Sequence, residues 1–292
     1  MNGMNVLVTG CKGQLGTEMR RLSAGHTKHR YTYVDIDELD LTDGEAVKHL
    51  VEDCQIDVIV NCAAFTNVDG AENQEEAARR VNADAVENLA RTGRKIIHIS
   101  TDYIFSGEGW LPYKEDDEPA PRTAYGRTKR EGEERLLAVC KDAIVFRTAW
   151  LYSPWGKNFV KTMLHYGAEK DELRVVYDQI GSPTYAGDLA KAVYAALDAD
   201  EWKCGVYHFT DEGVCSWYDF TVEILRQANT LLGSNRYKAH VTPIRSEEYT
   251  YLTPRPHYSV LDKQKVKQTF DIQIPHWTES LNECLRQMVS AE

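Results

Sequence analysis

The run Met4-Asn5-Val6-Leu7-Val8-Thr9-Gly10-Cys11-Lys12-Gly13-Gln14-Leu15-Gly16 decides how this chain is read. An apolar segment passes directly into glycines spaced G-x-x-G-x-x-G, which predicts a strand, a tight turn and a helix. Gly10 lets the chain leave the strand sharply, Gly13 lets backbone approach a phosphate, and Gly16 lets the helix pack closely on the sheet. The free N–H groups at the helix start, with its dipole, favour an anion there. Lys12, Gln14 and Leu15 share this turn and count with the three glycines as cofactor-binding residues. The next strand, Tyr31-Thr32-Tyr33-Val34, ends at Asp35. That is the expected distance of about 20 residues for an acid that accepts from an adenosine ribose 2′-OH. Asp35 therefore favours NADH; the 2′-phosphate of NADPH would meet like charge unless Lys12 or Arg30 intervened.

Composition narrows the class. The 292 residues allow a sizeable core and one or two domains. A formal charge of −11 with no basic block disfavours nucleic acid as a partner. Seven scattered cysteines, odd in number and without C-x-x-C, argue for a reducing, cytoplasmic setting and against a disulfide framework or a zinc site. Cys11 lies in the glycine turn, where a helix dipole could lower its pKa, but reads as a passive small residue. No apolar run is long enough to span a bilayer.

Short apolar strands alternate with helical patterns, predicting an α/β fold with a doubly wound parallel sheet. Asp57–Cys62, Lys95–Ser100 and Ala143–Arg147 read as buried strands, with helices over Asp69–Arg91 and Thr123–Val139. Gly10, Asp35, Ala63-Ala64 and Thr101 all fall at carboxyl ends of strands, where open α/β sheets bind ligands. Residues 1–149 are expected to form a dinucleotide-binding Rossmann domain, with about 186–210 and 241–255 returning to it. A smaller substrate lobe is expected from 150–292, interleaved as about 150–185, 211–240 and 256–292. Glu108–Pro121 reads as a polar connection, solvated and possible as a mobile flap.

Tyr125 and Lys129, four apart, lie on one helix face. A neighbouring ammonium and a nicotinamide carrying positive charge are together expected to draw the phenol pKa toward neutrality, so that Tyr125 can give a proton to a ketone oxygen. Lys129 is expected to reach the nicotinamide ribose, and Thr101 to bond the same ketone oxygen. With 16 tyrosines, about one Y-x-x-x-K match arises by chance, and Tyr166/Lys170 is a second one. No hydroxyl-bearing strand end precedes it, so that pair is assigned to ordinary helix surface and core. No H-E-x-x-H, G-x-S-x-G or Walker A motif competes.

At these residues the chain resembles the dTDP-4-dehydrorhamnose reductase family, in the extended branch of the short-chain dehydrogenase/reductases. The matching stretches are Val8–Gly16, Asn61–Glu72, Ser100–Phe105, Tyr125–Lys129, Arg147–Trp150, Gln179–Ala190, Gly205–Phe220 and Pro254–Asp262. The resemblance implies NADH- or NADPH-dependent reduction of a dTDP-4-keto-6-deoxy-L-hexose to dTDP-L-rhamnose. It implies Tyr125 as proton donor, Thr101 as oxyanion partner and Lys129 as pKa modulator and ribose clamp. Asp102 and Trp150 would contact the sugar; Asp40, Leu41, Ala63, Ala64 and Thr66 would line the cofactor. Asn82, on a central helix, is open to a structural role or one near the site. Some members dimerise around a metal held by glutamates. Glu18 is in place here but no acid stands at the position the family pattern expects beside Gly187, so a metal is not expected, and the chain is expected to be a monomer or weak homodimer. The alternatives are a sugar-nucleotide epimerase or dehydratase, or a regulatory subunit of methionine adenosyltransferase. A dehydratase usually carries Thr-Asp-Glu, whereas this chain has Thr101-Asp102-Tyr103.

Overall fold

In the computed structural model, which describes residues 3–290, the elements follow the expected alternation. They run β1 (Asn5–Thr9), α1 (Gln14–Leu22), β2 (Arg30–Val34), α2 (Gly44–Asp53) and β3 (Val58–Asn61). Next come α3 (Val68–Asn73), α4 (Glu75–Arg79), α5 (Ala85–Ala90), β4 (Lys95–Thr101), α6 (Ala124–Val139) and β5 (Ala143–Thr148). The second half holds β6 (Leu151–Tyr152), α7 (Phe159–Glu169), β7 (Glu172–Val176), β8 (Ile180–Gly181), β9 (Thr184–Tyr185) and α8 (Ala186–Asp198). It closes with β10 (Gly205–His208), β11 (Cys215–Ser216), α9 (Trp217–Leu232), β12 (His240–Ile244), α10 (Gln264–Phe270) and α11 (Trp277–Ser290).

The main sheet has six strands in the order β10-β5-β4-β3-β1-β2, paired in parallel throughout. Its central strands β3 and β5 are buried at every position, as strands covered on both faces must be. Val6, Val8, Val60, Ile144 and Phe146 pack against α1 and α8 on one face. Leu7, Ile59, Ile96 and Val145 pack against α2, α5 and α6 on the other. The order reverses about β1, between β2 and β3, which opens a crevice at the carboxyl ends of those strands. Helix starts follow local chemistry: the Asp43 carboxylate accepts from Glu45 N and Ala46 N, and Thr123 Oγ1 accepts from Gly126 N.

Three expectations need correction. The helix foreseen over Asp69–Arg91 is broken into α3, α4, a π turn at Arg80–Asp84 and α5. Residues 241–255 do not return to the main sheet: β12 pairs with β7 inside the smaller lobe. Instead α10, foreseen in the lobe, packs Val266 and Phe270 against the main-sheet core. The 108–121 connection is also less free than a flap. Tyr113 N donates to Val260 O, and the Glu115 backbone carbonyl accepts from Arg147. Trp110 and Leu111 nevertheless stand exposed at its tip. The lobe core gathers Phe220, Ile224, Trp277 and Leu281 from α9 and α11. Among the described residues, no helix is long and apolar enough to cross a membrane.

Candidate active site

The glycine turn is built by close approach. Gly10 has φ +63°, and a Cβ there would lie 2.7 Å from Ala63 N. A Cβ on Gly16 would lie 2.4 Å from Gly10 O and 2.5 Å from Cys11 Cα, so α1 could not reach the turn with any side chain at that position. Gly13 caps α1 without a side chain, so no capping side chain takes up the N–H groups of the first turn. A cleft of about 310 Å³ opens here, with Gly10, Gly13, Asp35, Asp40, Leu41, Ala63 and Ala64 among the residues that line it. These contacts were expected from the sequence; Thr9, Ile36, Leu39 and Val81 also line it and carried no signal.

The other foreseen cofactor residues stand differently. The Leu15 side chain is buried in the core, because it faces the sheet from the first turn of α1. Gln14 is turned toward the lobe, accepting from Ser153 Oγ at 3.1 Å and Asn158 Nδ2 at 3.0 Å. Thr66 is exposed and outside the cleft lining. Lys12 Nζ bonds Asp37 at 2.6 Å and Glu38 at 3.2 Å, while its backbone N–H donates to Asp35 Oδ2 at 2.8 Å. The rim of the cleft is thus acidic and Lys12 is already paired, while Arg80 Nη2 lies 3.4 Å from the hydroxyl of the cleft-lining Thr42. Burial raises the Cys11 thiol, contrary to a dipole-activated nucleophile. Asn82 is structural: its side chain bonds both backbone groups of Phe65 and Thr128 Oγ1. Buried Glu18 is held by Arg21, Trp155 and Tyr185. Among the described residues no cluster of three or more His, Cys, Asp or Glu side chains could hold a metal.

A second cavity, about 910 Å³, lies between the sheet end and the lobe. Asp102 and Trp150 line it, as foreseen. Trp150 sits at φ +50° with its ring stacked on Trp217 at 3.5 Å between centroids. A non-glycine residue at such a φ is held there by its surroundings, and the indole stack supplies the hold. Trp217, Tyr103, Arg174, Tyr249 and Arg255 complete much of the wall. Sequence reading missed them, although Trp217 and Arg255 fall within quoted matching stretches. Tyr166 and Lys170, set aside as ordinary helix surface, also line this cavity, with Lys170 Nζ 4.4 Å from the Tyr166 ring centroid. Spacing alone could not reveal that, because α7 borders the cavity only through the lobe's packing. Arg255 is tied to Asp69 at 2.7 Å and Arg174 to Glu248 at 3.2 Å.

The hydroxyl cluster links the two regions. Thr101 ends β4, next to β3 whose end lines the cleft, and immediately precedes Asp102 in the cavity wall. Thr101 Oγ1 donates to Asp102 Oδ1 at 3.0 Å, and the Thr101 side chain lies close enough to the Tyr125 phenol to oppose part of the rise in its pKa. Burial pushes the Asp102 carboxyl up to about 7, the Thr101 hydrogen bond offsetting part of the rise. Burial also raises the Tyr125 phenol above its ordinary range, and the Asp102 charge adds to the rise. In the protein by itself, burial outweighs the pull toward neutrality expected from a charged lysine and a charged nicotinamide together. Lys129 is buried, its ammonium donates to Ile99 O at 2.7 Å, and burial lowers it to about 8.

The sequence profile of the RmlD substrate binding domain matches residues 4–290. The chain is 41% identical to the spore coat polysaccharide biosynthesis protein SpsK of Bacillus subtilis, over 98% of each chain. A dTDP-4-dehydrorhamnose reductase structure from Clostridium acetobutylicum superposes with a TM-score of 0.92 at 40% identity, covering 98% of this chain and 100% of that one. A dTDP-4-dehydrorhamnose reductase from Bacillus anthracis, in complex with NADP, gives 0.91 at 34% identity, covering 98% and 99%.

Proposed function

The chain belongs to the RmlD substrate binding domain family, and from that premise we propose that it is a nicotinamide-dependent oxidoreductase reducing the C4 ketone of dTDP-4-dehydro-6-deoxy-L-mannose to give dTDP-L-rhamnose. The observation that carries this reading is the Thr101–Asp102 hydrogen bond, with the Tyr125 phenol beside Thr101, between a glycine-floored cleft and a cavity large enough for a nucleotide sugar. Gly10, Gly13, Asp35, Ala63 and Ala64 would hold the dinucleotide, which supplies a hydride when bound. The cleft fits it because a Cβ at Gly10 would occupy the floor and the start of α1 is left uncapped by side chains.

Tyr125 acts as general acid. Its raised pKa keeps the phenol protonated at neutral pH, which is the form that gives a proton to a ketone oxygen. Thr101 holds that oxygen in line, and Lys129 compensates the phenolate left behind. Trp150 and Asp102 face the sugar, and the indole stack fixes the apolar wall. The acidic rim at Asp35, Asp37, Glu38 and Asp40 favours NADH, since a 2′-phosphate would meet carboxylates with Lys12 already engaged. We assign 1–149 with about 186–210 and α10 to dinucleotide binding, and 150–185, 211–256 and α11 mainly to the sugar nucleotide. The protein works in the cytoplasm as a monomer or weak homodimer. The test supplies dTDP-4-keto-6-deoxy-D-glucose and a 3,5-epimerase, follows NADH and NADPH oxidation separately, and identifies the sugar nucleotide formed. Absence of a rhamnosyl product with either cofactor rejects the reading.

A further inference from the structure

A line of buried polar side chains runs beneath the cleft, crossing β1, β3 and β4 to end at Lys129. Thr9 Oγ1 donates to Asn61 Oδ1 at 2.7 Å, and Ala63 N donates to the same oxygen at 3.1 Å. Asn61 Nδ2 lies 3.1 Å from His98 Nδ1, and His98 Nε2 lies 3.4 Å from Lys129 Nζ. Thr9, Asn61, His98 and Lys129 are each at most 1% exposed, so none of these groups has water as an alternative partner.

The direction of every bond along this line is determined. The Ala63 backbone N–H can only donate, which fixes Oδ1 of Asn61 as the acceptor and Nδ2 as the donor toward the ring. His98 Nδ1 must then accept, so the neutral ring carries its proton on Nε2. That N–H points at Lys129. A neutral amine can accept it, whereas an ammonium meets it donor to donor. We propose that His98, locked as the Nε2–H tautomer by Asn61, is a positioning residue that destabilises the ammonium form of Lys129. The proposal rests on the reading of Lys129 as the partner of Tyr125.

Opposing influences surround Lys129. Ile99 O accepts from Nζ and favours the ammonium. Glu133, one turn further along α6, also favours it, but that carboxylate is held by Arg147 at 2.8 Å and Arg130 at 3.2 Å. Tyr125 lies one turn before it on the same helix, and His98 faces it from β4. His98 itself is kept neutral by burial and by Lys129, so the ring carries a single proton, which the Asn61 bond places on Nε2. Burial already lowers Lys129 to about 8 against the pull of Glu133, and the His98 N–H acts in the same direction as burial.

The test uses the full-length protein with 15N-labelled histidine and 13C-labelled lysine, so its readouts need no turnover. In the wild type, His98 shows the Nε2–H tautomer between about pH 5 and pH 8, roughly one and a half units either side of an ordinary histidine pKa. Asn61→Asp accepts from Thr9 and Ala63 but cannot donate to Nδ1, so the ring proton moves to Nδ1 and Nε2 accepts from the ammonium. The Lys129 Cε titration midpoint then rises by about one pH unit or more. In a His98→Phe background the same Asn61→Asp change gives a much smaller rise, because the effect passes through the ring. In the proposed reaction, folded Asn61→Asp moves the alkaline limb of kcat upward with little change in KM. An Nδ1–H tautomer in the wild type, or equal Lys129 shifts with and without His98, overturns the proposal. An absence of ketoreductase turnover rejects the functional reading instead, and leaves these NMR outcomes to decide the role of His98.

Discussion

Replacing Asp102 by Asn should stabilise the protein at pH 8 and much less at pH 5. The Asp102 carboxyl is 5% exposed, its Oδ2 has no hydrogen-bond partner, and burial raises it from 3.8 to about 7. Its native pKa lies above the unfolded one, so the native state holds the proton more tightly between pH 4 and pH 7, as a rule of about one unit each way. Stability from this group is greatest when the carboxyl is protonated and declines as pH rises through that window. At pH 5 the cost is about 2 kcal/mol and at pH 8 about 4 kcal/mol, from a shift of about 3 units at 1.36 kcal/mol each. Asn keeps an oxygen for the Thr101 hydroxyl and cannot ionise, so it lacks this slope. Urea unfolding at pH 5, 6, 7 and 8 should show the gap between variant and wild type widening by roughly 2–3 kcal/mol. Any fixed cost of packing the amide cancels in that widening. Parallel stability profiles across this range would refute the reasoning, and would mean that Asp102 is solvated or ionised in the native protein.

Tyr125→Phe should lower turnover by about 10²- to 10⁴-fold while NADH affinity, measured by fluorescence titration, stays nearly intact; near-normal turnover excludes Tyr125 as the acid. Gly16→Ala should abolish dinucleotide binding and lower Tm, since its Cβ would sit 2.4 Å from Gly10 O; a normal titration curve would contradict the close approach. Arg147→Met should destabilise by about 2–4 kcal/mol because it leaves the buried Glu133 carboxylate with Arg130 as its remaining ion-pair partner, and Arg147→Met with Glu133→Leu should recover most of that loss in denaturant titrations.

Much of this architecture follows from short-range pattern. The glycine spacing, the apolar strands and the acid at Asp35 are local, and they suffice for a parallel sheet with a ligand cleft at the β1–β3 ends. Thr123 and Asp43 cap their helices by contacts within three residues, so those starts were readable as well. The identity of the cleft-lining Asp40, Leu41, Ala63 and Ala64 came through the family resemblance, and the fold places them together. Tertiary structure decided what depends on distant neighbours. Tyr125/Lys129 and Tyr166/Lys170 share one spacing, yet one pair is set against Thr101 and the other faces the cavity across the lobe. The proton affinities of Asp102, Tyr125 and Lys129 were set by burial, which no residue pattern encodes. Strand β12 joined β7 because pairing partners are chosen by three-dimensional packing over a separation that local sequence does not sense.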